Sequence, residues 1–98
     1  MSKAYTVVAI LESKPDKTTE LKQELIKVIA PSRAEPTCKE YRMHQDISNP
    51  CKFFFYENWI SKEAHQLQFQ KPYITALIDK LEGLLAKPYE AIFAEEIN

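Results

Sequence analysis

A single glycine among 98 residues leaves no room for a phosphate-cradling loop, a Walker signature or a nucleophile elbow, each of which needs glycine where backbone must turn sharply or approach a ligand. Cysteine is scarce too. Cys38 and Cys51 have no metal-ligand spacing around them, and they fall at opposite ends of the hairpin read below, roughly 30 Å apart at about 3.3 Å per strand residue. That span excludes an intrachain disulfide, so two reduced thiols are expected and no metal site. Neither sign of charge dominates: 13 Lys and Arg stand against 14 Asp and Glu, for a net charge of −1. Such a balance gives no electrostatic footprint for a phosphate backbone or an anionic membrane, and nucleic acid is not an expected partner. Long apolar runs are missing as well. Val7 to Leu11 and Phe53 to Tyr56 are too short to span a bilayer, and the N-terminus carries no signal-peptide core, which predicts a cytoplasmic protein.

What is present suits one compact domain over residues 1–98, with 45% apolar and 28% charged residues. The six prolines punctuate it, because proline interrupts ladders and helix interiors alike. Tyr5 to Glu12 is β-branched or apolar on both alternating faces and reads as a central strand. Asp16 is the expected N-cap of a helix whose Leu21, Leu25, Val28 and Ile29 recur at helical spacing up to Pro31. Cys38 to Ile47 alternates Tyr41 and Met43 against Glu40, Arg42, His44 and Asp46. Ser48-Asn49-Pro50 then turns the chain into a strand that runs on to Ile60, forming a hairpin. Ser61 caps a short helix to about Phe69. Pro72 opens another, with Ile74, Leu77, Ile78 and Leu81 on one face and Gly83 as the expected C′ residue. A last strand, roughly Tyr89 to Ile97, completes an α+β order, βαββαβ, with a four-stranded antiparallel sheet of ferredoxin-like architecture. Two helical segments cover only one face of such a sheet, yet its first and third strands are apolar on both. A homodimer packed sheet to sheet is the expected cover.

Glu57 is the anomaly in this pattern. It shares a face with Phe53, Phe55 and Trp59 by the period of two, and a carboxylate so placed must be paired, carry a raised pKa or line a polar pocket. A six-residue hairpin connection would set Arg42 opposite Glu57 and His44 opposite Phe55, bringing His44 onto the face of Trp59; a one-residue slip would invert this. In the first register His44 is a candidate general base, and in the second an exposed edge-strand histidine. His65 and Gln68, three apart, either project into a pocket under their short helix or face solvent. Trp59 and Tyr73 either line an aromatic box for a flat substrate or belong to the core.

The stretch Ala30-Pro31-Ser32-Arg33-Ala34-Glu35-Pro36, followed by Cys38, Tyr41, His44, Asp46 and then Phe55-Tyr56-Glu57-Asn58-Trp59-Ile60-Ser61, resembles the antibiotic biosynthesis monooxygenase family, including its small quinol monooxygenases. The resemblance implies a dimeric α+β barrel and, in the oxygenase members, oxidation of quinols or polyphenols by O₂ without metal, flavin or haem. For an oxygenase of this kind His44 is the expected base, with Trp59, Phe55 and Tyr73 as walls, and Arg42, Glu57, His65 and Gln68 as groups that orient a small aromatic substrate. The chain departs from the family's frequent pattern at Gln68 and Tyr73, where histidines often stand, and at Thr37, where glycine does. Haem-degrading relatives use a strand-one asparagine and a helical histidine that have no match in Tyr5 to Leu11 or near Phe69. Isomerisation of a small phosphorylated or keto compound, and ligand binding without catalysis, are the other roles considered.

Overall fold

The computed structural model describes residues 4–97. Its elements run β1 (Tyr5–Glu12), α1 (Thr18–Lys27), α2 (Ile29–Arg33), β2 (Cys38–Gln45), β3 (Lys52–Trp59), α3 (Lys62–Gln68), α4 (Pro72–Leu84) and β4 (Glu90–Glu95). The strands form one antiparallel sheet in the order β2-β3-β1-β4. The expected α+β, ferredoxin-like arrangement is therefore the observed one, and the two strands with apolar residues on both faces, β1 and β3, are the central pair.

One sheet face meets the helices. Val7 and Leu11 of β1 and Phe53, Phe55 and Trp59 of β3 are buried there against Leu21, Leu25, Ile74, Leu77, Leu81 and Leu84. That spacing along α1 and α4 is the helical stripe, and its burial against a period-two strand face makes the core. On the other face Val8, Ile10 and Phe54 are half-buried, while Tyr56 and Ile92 are exposed. No helix among the described residues is long and apolar enough to cross a membrane.

Three local expectations are corrected. Asp16 is not the first cap: α1 begins one residue later than Lys17, whose side chain makes no capping bond, and Ser13 Oγ and Thr18 Oγ1 bind each other at 2.8 Å instead. Pro31 does not end the helical region, because the chain breaks at Val28 and restarts as α2 with Pro31 in its first turn, where a missing N–H leaves no bond unmade. Gly83 lies inside α4 with a negative φ, and Leu85 in extended conformation closes the helix. The exit is held by the Lys14 N–H to Leu84 carbonyl bond, 2.9 Å, and the Ala86 N–H to Glu12 carbonyl bond, 2.9 Å, which tie the end of α4 to the end of β1. Two elements form as expected: Ser61 Oγ accepts from the Ala64 N–H at 3.1 Å to start α3, and Pro72 stands in the first turn of α4. Cys38 and Cys51 are both free thiols.

The hairpin register is the correction with the largest consequence. Tyr41 faces Glu57, Arg42 faces Tyr56, Met43 faces Phe55 and His44 faces Phe54, one residue away from the expected pairing. The turn sets it. Asp46 Oδ1 accepts from the N–H groups of Ser48 and Asn49, Asn49 Oδ1 accepts from the Cys51 N–H, and the Asp46 N–H donates to the Lys52 carbonyl at 2.9 Å. These side-chain bonds fix where the loop closes, so that Gln45 rather than Asp46 faces Phe53. Every β2 side chain changes face as a result.

Candidate active site

Across the helix-facing side of the sheet the register builds rows. One row reads Tyr41, Glu57, Val7, Phe93, and the next reads Met43, Phe55, Ala9, Ala91. In the second row two alanines stand side by side between larger neighbours, and the missing side-chain volume leaves a cavity of about 120 Å³ under the helices. Ile74, Leu77 and Leu81 of α4 roof it, and Phe55, Glu57, His65 and Gln68 also line it. A larger depression of about 480 Å³ runs along the outer edge of β2 beside Arg33, Arg42 and His44. Both Arg42 and His44 are exposed there, so the apolar cavity between sheet and helices is the better candidate for chemistry.

Glu57 is 4% exposed and accepts a 2.9 Å hydrogen bond from Trp59 Nε1. Loss of hydration raises its pKa to about 7, and the indole N–H, which favours the ionised form, offsets part of that rise. His65, also 4% exposed, reaches in from α3 with Nε2 at 3.8 Å from Glu57 Oε1. Burial lowers the imidazole pKa, so near neutrality its ring is uncharged and able to accept a proton. Aromatic rings hold it in place: Tyr5, Trp59, Phe69 and Phe93 lie at centroid distances of 5.8, 5.7, 5.1 and 6.0 Å. Between a carboxyl pushed up and an imidazole pushed down, the shared proton rests on Glu57 rather than His65. Burial favours the uncharged form of each group, and once Glu57 has lost its proton its carboxylate is the counter-ion for any charge that arises on His65.

Polar groups line the other flank. Gln68 Nε2 donates to Ser32 Oγ at 2.9 Å, both residues being buried. Tyr41, its ring 5.0 Å from that of Phe55, is held in its protonated form mainly by burial, with the charge of Glu57 acting in the same direction. Tyr73 donates to Glu35 Oε2 at 3.1 Å and does not line the cavity.

The structure thus brings together Phe55, Glu57, His65 and Gln68, with Trp59 directly behind Glu57. It does not bring in Arg42, His44 or Tyr73. Arg42 Nε pairs with Glu40 Oε2 at 3.2 Å on the open side, and the His44 ring stacks on Phe54 at 4.4 Å on the same side, as the hairpin register requires. Sequence reasoning passed over Tyr41, Ser32 and the Ala9–Ala91 floor. The alternation of Tyr41 with Arg42 and the one small residue inside an otherwise bulky β1 were the available signals.

A four-stranded antiparallel sheet with its helices on one face and a pocket between them makes this a small α+β domain of the ferredoxin-like type. The chain belongs to the antibiotic biosynthesis monooxygenase family, whose model matches residues 4–80. It is 37% identical over 84 residues to the uncharacterized protein sll1783 of Synechocystis, an alignment that takes in 86% of this chain and 57% of the relative; the chain thus spans little more than half of that protein's length. The crystal structure of PA3566 from Pseudomonas aeruginosa superposes with a TM-score of 0.95 at 26% identity, covering 100% of this chain and 98% of that one. Rv0793 from Mycobacterium tuberculosis follows the same fold at a TM-score of 0.92 and 21% identity over 97% of this chain and 96% of its own. So does a structure described as an antibiotic biosynthesis monooxygenase, at 0.91 and 19%, covering 96% of this chain and 99% of that one.

Proposed function

We propose that the chain is a cofactor-independent monooxygenase that oxidises a small quinol-like aromatic with O₂. The observation that carries this reading is the buried imidazole of His65 set 3.8 Å from a buried carboxyl at the wall of an apolar cavity. His65 takes a phenolic proton, and the imidazolium so formed is stabilised by ionised Glu57, which Trp59 holds in place. The quinol anion passes one electron to O₂, and the ring radical and superoxide join to form a carbon–oxygen bond. The resulting hydroperoxide breaks its O–O bond as the carbon gives up its hydrogen and His65 returns the proton. A hydroquinone and O₂ thereby become a hydroxyquinone and water: one oxygen atom enters the ring, the other leaves as water, and the substrate supplies every electron. The apolar walls keep bulk water away from the anion.

The working unit in this reading is a homodimer. Val8, Ile10, Phe54, Tyr56 and Ile92 form an apolar stripe on the side of the sheet that no helix covers, and a second copy packed face to face would bury it. Oxygen consumption with a panel of hydroquinones tests the activity. Uptake that depends on His65 supports the proposal, whereas binding without uptake would leave a ligand-binding dimer, and conversion of a keto compound without uptake an isomerase.

A further inference from the structure

The cavity has a measurable size and a built threshold, and together they restrict what can react. Its floor is the cross-strand pair Ala9 and Ala91, and its volume is about 120 Å³; a dry protein cavity of about 150 Å³ takes a single benzene ring. Beyond His65 lies an outer compartment of about 420 Å³, lined by Tyr5, Lys62 and Gln66. His65, Phe69 and Phe93 border both spaces. Phe69 is 41% and Phe93 57% exposed. The two phenyl rings thus flank the imidazole where the two mainly apolar spaces meet.

Resting on the oxygenase reading above, we propose that the site selects a substrate with a single aromatic ring: Ala9 and Ala91 set the depth of the ring chamber, and Phe69 and Phe93 are the specificity-determining threshold that stops a fused two-ring system from reaching it. A one-ring quinol slides past the phenyl groups until its hydroxyl meets His65, and any substituent stays in the outer compartment. A fused second ring exceeds the chamber's volume and, entering past His65, would press on Phe93 or on α4, whose Ile74, Leu77 and Leu81 are already packed into the core. A hydrophobic slot discriminates by about 10- to 200-fold against even one surplus methylene, and a fused ring is a larger excess.

The test is calorimetric binding under argon, with methylhydroquinone as the one-ring probe and 1,4-dihydroxynaphthalene as the two-ring probe, beside aerobic oxygen uptake with both. Wild type should bind the one-ring probe at least about tenfold more tightly. Phe93→Ala should bring the two affinities together by admitting the larger ring. Ala9→Leu should abolish binding of both by filling the floor, and Ala91→Leu, on an exposed edge strand, repeats that experiment where a core change at Ala9 would prevent folding. Equal affinity for both probes in wild type, unchanged selectivity in Phe93→Ala, or undiminished binding in a folded floor variant would overturn the inference, and so would binding of neither probe. Size-graded binding with no oxygen uptake would leave the size selection standing and remove the oxygenase reading. Uptake of oxygen with both probes alike would do the reverse.

Discussion

His65 Nε2 and Glu57 Oε1 lie 3.8 Å apart, although the two residues come from different elements and neither is solvated. α3 supplies the imidazole and β3 the carboxyl. Their pKa values move towards each other, His65 down and Glu57 up to about 7, because both prefer to be neutral in the same apolar setting. The imidazole is thereby kept uncharged near neutral pH and able to accept a proton, which is what a general base needs.

The carboxyl should make stability depend on pH. Because Glu57 rises from 4.5 to about 7 on folding, the folded chain holds a proton that the unfolded chain has lost between those values. Its stabilising effect is fully present below pH 4.5 and is lost as pH rises through about 7. Glu57→Gln, which cannot ionise, should therefore be more stable than wild type at pH 8 by up to about 3 kcal/mol and little changed at pH 4. Paired thermal melts across this range check it, and a variant that is less stable at pH 8 would contradict the buried-acid account.

His44→Gln should leave turnover within about twofold of wild type, since the ring stacks on Phe54 on the side of the sheet away from the cavity and a positioned base contributes about 10²- to 10⁴-fold. Steady-state oxygen uptake decides this, and a loss of about a hundredfold with the fold intact would restore His44 to the mechanism.

The contrast between these two histidines marks how far the sequence can be read. The period of two placed Glu57 among Phe55 and Trp59 without any knowledge of the partner strands, because a face assignment within one strand needs only local geometry. Which β2 residue lies opposite depends on how the turn closes, and there the Asp46 and Asn49 side-chain bonds set the pairing one residue away from the expected register. That single step moved His44 and Arg42 to the open face. His65 posed a different difficulty: α3 spans 7 residues, too few turns for the apolar pattern to say which side is covered, and only the packing of Tyr5 and Phe93 around the ring shows it buried. The pocket itself depends on Ala9 and Ala91, which are far apart in sequence and neighbours only through the β1–β4 ladder.

Sedimentation should give twice the 11.4 kDa chain mass at micromolar concentration. Phe54→Asp should yield monomers, because it would bury an unpaired carboxylate where the two sheets meet. A stable monomeric wild type would remove the dimer from the account.

Exhaustive chelation should leave oxygen uptake unchanged and the purified protein colourless. Stoichiometric metal by elemental analysis, with activity lost on its removal and regained on its return, would place the chemistry elsewhere.

The most direct measurement is the pH profile of kcat/KM for a one-ring hydroquinone in wild type, His65→Gln and Glu57→Gln. Wild type should lose activity as pH falls through about 7, where Glu57 takes up its proton and no longer stabilises the imidazolium. In Glu57→Gln that limb should move to lower pH, where the depressed His65 titrates, with the plateau reduced. His65→Gln should fall by about 10²- to 10⁴-fold at every pH while remaining folded. A His65→Gln protein with wild-type kcat/KM and an unaltered profile would contradict the assignment of this buried pair as the proton acceptor.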